Sequence, residues 1–152
     1  MSISAKNLKM PPLHAPGKGV AEALNSASYF AKSATVSCTS GGDTQPALLF
    51  NVPKDVYIAD VRIQTETALT GDDPNTLVIG ISSDCDMFHA SSDVVNVGSH
   101  SMLYGTALGA GGYPCTADEV VEANWSTGTT AGAFYAVIEY KPRFGKNFVH
   151  NP

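Results

Sequence analysis

The segment ADVRIQTET, residues 59–67, sets Ala59, Val61, Ile63, Thr65 and Thr67 against Asp60, Arg62, Gln64 and Glu66. Successive side chains of a β-strand point to opposite faces. This strict period of two therefore predicts a half-buried antiparallel strand with one apolar or β-branched face and one polar face. Weaker versions of the pattern occupy SYFAKSATVSC (28–38), PALLFNV (46–52), TLVIGIS (76–82), EVVEANW (119–125) and GAFYAVIEY (132–140). All are rich in β-branched or aromatic residues, which fit a pleated surface. In the last of them Phe134, Ala136, Ile138 and Tyr140 share a face, with Tyr135 and Val137 opposite. Between the strands, SGGDTQ, NVPKD, TGDDPN and STGTTAG supply the Gly, Pro, Asn and Asp that reversals need. No amphipathic helical run of a dozen residues interrupts the series. The expected fold is all-β, an antiparallel β-sandwich.

The two ends differ from this body. In residues 1–26, Pro11, Pro12, Pro16, Gly17 and Gly19 forbid a continuous helix and remove ladder donors, so an extended N-terminal arm is expected. The sandwich domain is expected over 27–140, with a basic C-terminal tail over 141–152. The weakly patterned stretch 96–118, with Gly105, Gly109, Gly111 and Gly112, is read as a long loop.

Charge follows the same division. Residues 1–19 carry Lys6, Lys9 and Lys18 and no acid, and 141–152 carry Lys141, Arg143 and Lys146 and no acid. The middle sets only Lys32, Lys54 and Arg62 against all 14 acidic residues. An acidic body is a poor match for phosphate, so no nucleic-acid partner is expected. The basic ends suit an acidic protein surface. The longest apolar stretch, around AFYAVI, is far too short to span a bilayer, and no membrane partner is expected. Cys38, Cys85 and Cys115 form no CxxC pair and are odd in number, which fits neither a disulfide framework nor a structural zinc motif.

SSDCDMFH, residues 82–89, gathers Asp84, Cys85, Asp86 and His89, all metal-ligand types. It lacks the alternating oxygen ligands, glycine and distal glutamate of an EF-hand loop, and it lacks matched Cys or His pairs for zinc. The residues read instead as a capped turn after the strand TLVIGIS, and neither a metal nor a cofactor is expected. No GxSxG or HExxH motif occurs. Glu66, Glu119, Glu122 and Glu139 fall on presumed outward strand faces, and Trp125 shares a face with Val121 and Ala123, as a core residue would. No enzyme is expected.

The segments VPKDVYIADVRIQTETAL, DDPNTLVIGISSDCDMF and TADEVVEANWSTGTTAGAFYAVIEY resemble those of tailed-phage decoration proteins, also called cement or auxiliary head proteins, of jelly-roll type. The resemblance spans residues 45–140, leaving out the arm and the tail. It implies a jelly-roll-like sandwich and a virion structural protein, made in the host cytoplasm, that binds the outer capsid surface and stabilises the head. Its implied partners are the major capsid protein and further copies of itself in a homotrimer. For capsid contact the arm offers the charges Lys6, Lys9 and Lys18 and the apolar anchors Leu8, Met10 and Leu13. The alternative is a tail or fibre module that binds a receptor or glycan, with Tyr104 and Tyr113 as exposed stacking rings.

Overall fold

A computed structural model describes residues 5–8, 28–39, 45–71, 76–91, 95–101 and 112–142. Within them the chain forms β1 (Lys6–Asn7), β2 (Tyr29–Lys32), β3 (Val36–Ser37), β4 (Ala47–Val52), β5 (Val56–Gly71) and β6 (Leu77–Ile81). It continues with β7 (Asp84–Ser91), β8 (Gly98–Ser101), β9 (Tyr113–Pro114), β10 (Glu119–Trp125) and β11 (Thr129–Pro142). One sheet, A, runs β1-β4-β10-β6-β7; the other, B, runs β2-β11-β5-β8, with β3 beside β11 and β9 beside β5. The fold is the expected all-β sandwich, jelly-roll-like in that β4, β5 and β6, and again β8–β11, pass between the two sheets. The pairings are antiparallel except for β1, which runs parallel to β4.

ADVRIQTET lies in the middle of β5, the longest strand. β5 pairs with β11 from Gly71↔Thr129 to Val56↔Pro142, forming the centre of sheet B. Val61, Ile63 and Thr65 turn inward with no exposed surface, as the alternation requires, and so do Phe134, Ala136 and Ile138 across from them. From sheet A, Leu49, Phe50, Leu77, Ile79, Ile81, Val121 and Ala123 close the core. Trp125 takes its expected place there, edge-on to Phe134 with ring centroids 6.3 Å apart. Burying side chains of this size contributes about 1.5–3 kcal/mol each, offset by the entropy of ordering them.

Alternation fails where the ladder bulges. The register of β5 on β11 shifts between Ala133 and Phe134 and again between Glu139 and Tyr140. Past the first shift Thr67 is exposed, opposite to the expected phase, and after a further shift between Ala131 and Ala133 Leu69 is buried in phase again. Leu69 packs on Gly132, whose φ of 151° and lack of a side chain let the two strands close; a Cβ there would lie 2.8 Å from Leu69 Cγ.

The stretch read as a capped turn is mostly strand. Ser82 and Ser83 alone make the turn, and 84–91 return along β6 as β7. The pairing jumps from Ile79↔His89 to Ile81↔Asp84, so β7 arches over Gly80. A Cβ on Gly80 would sit 2.1 Å from the Asp84 carbonyl oxygen. Within the stretch read as a loop, β8 and β9 are further strands on the free edge of β5. We expect Gly80→Ala to force β7 off its partner at a cost of about 3 kcal/mol, seen as a fall of roughly 6–12 °C in Tm by scanning calorimetry. An unchanged Tm would mean that the arch moves freely.

Candidate functional site

The chemistry-bearing residues fall in three places. The first is a gap in sheet B. β9 covers Tyr57 and Ile58 of β5, and β8 covers Arg62 to Thr65, leaving Ala59–Val61 without a described strand on that side. Buried polar groups need partners, and side chains supply them here. His89, reaching across from β7 of sheet A, donates its Nε2 proton to the Val61 carbonyl at 2.8 Å. The Ser101 hydroxyl donates to the Asp60 carboxylate at 2.6–2.7 Å, and Arg62 pairs with the same carboxylate at 3.3 Å. Asp60 keeps the polar face that alternation assigns it but is only 2% exposed, not solvated, because Ser101 and Arg62 close over it.

This cluster does not assemble a nucleophile and base. The Ser101 hydroxyl faces a carboxylate, the His89 ring nitrogen a backbone carbonyl, and His100 Nε2 the Asn96 carbonyl at 3.2 Å. The Ser101 and His89 bonds each tie one strand to another, which is structural work. Burial is the main cause that pushes the His89 pKa below its ordinary value of 6.5, outweighing the raising influence of the Val61 carbonyl and of Asp60. The folded state therefore holds His89 neutral while the unfolded chain takes up a proton. The stability it contributes is present above about pH 6.5 and is lost as pH falls through 6.5 towards the lower folded value. Urea denaturation at pH 7.5 and 5.0 should show this loss in the parent and a smaller one in His89→Gln. Equal losses would place the proton uptake elsewhere.

The second place is the outer side of sheet A. Asp84, Cys85 and Asp86 are exposed on β7. The Asp84 carboxyl meets that of Asp86, whose side-chain hydrogen bond pushes the Asp84 pKa up, and it also accepts the Asp86 backbone N–H, as a capping aspartate does. Glu122, expected outward, is 8% exposed. It pairs with Gly80 beneath the β7 arch and accepts a hydrogen bond from the Ser82 hydroxyl at 3.3 Å. Among the described residues no three His, Cys, Asp or Glu side chains come together as a metal site. Burial pushes the thiols of Cys38 and Cys115 up to about 12, whereas Cys85 is exposed. Brief alkylation of the native protein should modify Cys85 alone, and all three cysteines in urea, by peptide mass spectrometry. Native modification of Cys38 would contradict the packing around it.

The third place is the root of the arm. Lys6 is exposed, and Asn7 on β1 accepts a hydrogen bond from the Asn51 side chain at 2.7 Å. Leu8, expected as an anchor for a partner, is instead buried in this chain's own core at 6% exposure. The two-residue strand thus adds to the body's own sheet. A groove of about 390 Å³ opens beside it, lined by Asn51, Pro53, Asp118, Glu119 and Val120 among others. Lys9, Met10, Leu13 and Lys18 lie outside the described residues, as does Tyr104. Tyr113, the other ring considered for stacking, packs edge-on against Phe88 with centroids 6.0 Å apart.

No family model and no curated protein matches the chain. Its fold does match solved structures. A chain from the capsid asymmetric unit of cyanophage Pam1 aligns with a TM-score of 0.60 at 16% identity, over 86% of this chain and 93% of that one. A chain from the capsid of Ralstonia phage GP4 gives 0.58 at 13% identity, over 90% and 93%. One from the acidic stable capsid of Helicobacter pylori bacteriophage KHP30 gives 0.54 at 16% identity, over 78% and 90%. At such identities the likeness establishes a shared fold.

Proposed function

We propose that the chain is a non-enzymatic structural protein of a bacteriophage virion, and that it binds the outer capsid surface as a decoration protein. The observation that carries this reading is the likeness, over nearly the full length of both chains, to chains of three phage capsid structures. Coverage that high on both sides means that the matched chains are themselves small β-domains of similar length. A small compact domain suits attachment to a shell better than forming one. The polar residues support the same reading, since His89, Ser101 and Asp60 spend their hydrogen bonds joining strands.

A decoration protein must grip many equivalent sites and bridge neighbouring shell subunits, here the major capsid protein. The acidic body offers few cations for this, and the arm supplies them. Leu8 and β1 fasten the root of the arm to sheet A, and Lys9, Met10, Leu13 and Lys18 come next in the chain. Prolines 11, 12 and 16 restrict the free arm and so lower the entropy lost when it is ordered on a partner.

The test leaves residues 1–8 intact, because Lys6, Asn7 and Leu8 belong to the fold. A variant carrying Lys9→Glu, Met10→Ser, Leu13→Ser and Lys18→Glu should keep its Tm and lose at least tenfold in co-sedimentation with undecorated capsids. Added salt should weaken the parent's binding in part. Binding of the variant at the parent's affinity would refute the arm as the contact. Failure of the parent to bind any capsid would refute the decoration role itself.

A further inference from the structure

The groove of about 390 Å³ beside β1 takes no part in joining strands. Its volume falls in the range of roughly 300–1,000 Å³ that ligand pockets occupy. Leu8, Val52, Pro53 and Val120 give it an apolar lining, and Asp118 and Glu119 are the charged residues among its described walls. Exposed Asp118 accepts the Lys54 backbone N–H at 2.8 Å, and half-buried Glu119 accepts the Tyr113 hydroxyl at 3.5 Å. Neither bond neutralises a carboxylate. Among the described residues neither acid has an ion-pair partner; the one described ion pair is Arg62 with Asp60. Lys54 and Asp55 offset each other in the adjoining turn, and Lys6 alternates with groove-lining Asn7 and so takes the other face of β1. The groove is therefore apolar with a net acidic rim.

Pro142, the last described residue, stands at the same end of the sandwich. It pairs with Val56, and the Cys115 N–H donates to the Val56 carbonyl at 2.8 Å from the other side. From Cys115 the chain runs past Asp118 to Glu119, which lies across from Val52. Strands lie about 4.8 Å apart, so Pro142 and Cys115 are separated by roughly 10 Å. Four extended residues span up to about 14 Å, so the segment as far as Lys146, with its long side chain, is enough to meet both acids. The sequence that follows Pro142, RFGKNFVHNP, carries Arg143 and Lys146 and no acid, with Phe144, Phe148 and Val149 among them. Two cations answer two unpaired carboxylates, and the aromatic rings suit the apolar lining. The arm offers Lys9 alone before Pro11 and Pro12.

We propose that this groove is the docking site of the chain's own basic segment 143–149, with Arg143 and Lys146 on Asp118 and Glu119 and an aromatic ring against Leu8 and Val52. A segment docked there covers Leu8 and clamps β1. The hold of β1 on the body is otherwise two residues of parallel ladder and the Leu8 N–H on the Asn51 carbonyl at 3.3 Å. The groove thereby couples the two basic ends of the chain, the tail securing the root of the arm. The inference concerns this chain alone and does not depend on the capsid role.

Full-length protein treated with a water-soluble carbodiimide should form an amide between the Lys146 amine and the Asp118 or Glu119 carboxyl, identified by peptide mass spectrometry. Lys146→Arg keeps the charge and should lose the link. Asp118→Asn/Glu119→Gln keeps the acceptors for Lys54 and Tyr113 but removes both charges. In that variant trypsin should cut after Arg143 and Lys146 roughly threefold to tenfold faster, as the loss of two exposed ion pairs implies. The Leu8 amide should also exchange faster by hydrogen-exchange mass spectrometry. Mixing unlabelled and isotope-labelled protein assigns each link to one copy or to two. Links from Lys9 in place of Lys146 would give the groove to the arm and overturn the proposal, as would links found only between copies. Absence of any link from Lys146, or unchanged cleavage and exchange in the double variant, would overturn it outright.

Discussion

The pairing of β5 with β11 is the constraint on which the rest of the structure depends. These are the two longest strands, and they lie side by side in the centre of sheet B. Their inward residues, from Val56 and Ile58 to Phe134 and Ile138, form one wall of the core. Every other strand of sheet B hangs from one of them: β2 and β3 on β11, β8 and β9 on β5. The short strands are individually too small to be stable, because a few residues of ladder cannot offset their ordering entropy. They persist because the central pair presents a fixed template. Ser33 shows how the template tolerates interruption. Between β2 and β3 it donates its backbone N–H to the Ala136 carbonyl and accepts the Ala136 N–H on its hydroxyl at 2.9 Å.

The same template leaves a cost at the other edge, where β8 and β9 do not meet. Asp60, Ser101 and His89 fill that interval with hydrogen bonds, and a buried carboxylate is tolerable only because it is so fully engaged. Polar residues that look catalytic in a linear sequence are thus spent on joining strands. The exposed features that remain are of a different kind: Phe30 and Lys32 on β2, the acidic turn of the β6–β7 hairpin and the root of a basic arm.

How far the fold is legible in the sequence depends on whether periodicity survives. ADVRIQTET and GAFYAVIEY declare their inward faces because Val61, Ile63, Phe134 and Ile138 recur at a spacing of two. β7 is hidden because Asp84, Cys85 and Asp86 stand where alternation would show, on an arch that leaves the sheet surface. β8 and β9 are hidden because GSHS and YP have no apolar period at all; long-range pairing with β5 alone makes them strands. Bulges explain the misplaced side chains. A single extra residue inverts the phase of the strand beyond it, and no local signal announces it. Burial of Glu122 likewise depends on β7 crossing above Gly80, and the hydroxyl that meets it, on Ser82, is 40 positions away. Of the arm, composition reveals the charge and the prolines, but not that Leu8 turns back into its own core. The partners that would reveal this, Phe50 and Asn51, are distant in sequence.

The parallel strand β1 has one more consequence. Lys6 and Asn7 occupy the outer hydrogen-bonding side of β4 at Phe50 and Asn51, beside the exposed side chain of Leu48. Without them that strand would present bare amides and carbonyls next to an apolar side chain, the template on which unrelated chains stack into aggregates. Two residues of β1 therefore cap this part of the sheet edge. Loss of that pairing would leave the Phe50 and Asn51 backbone groups of β4 open to another strand.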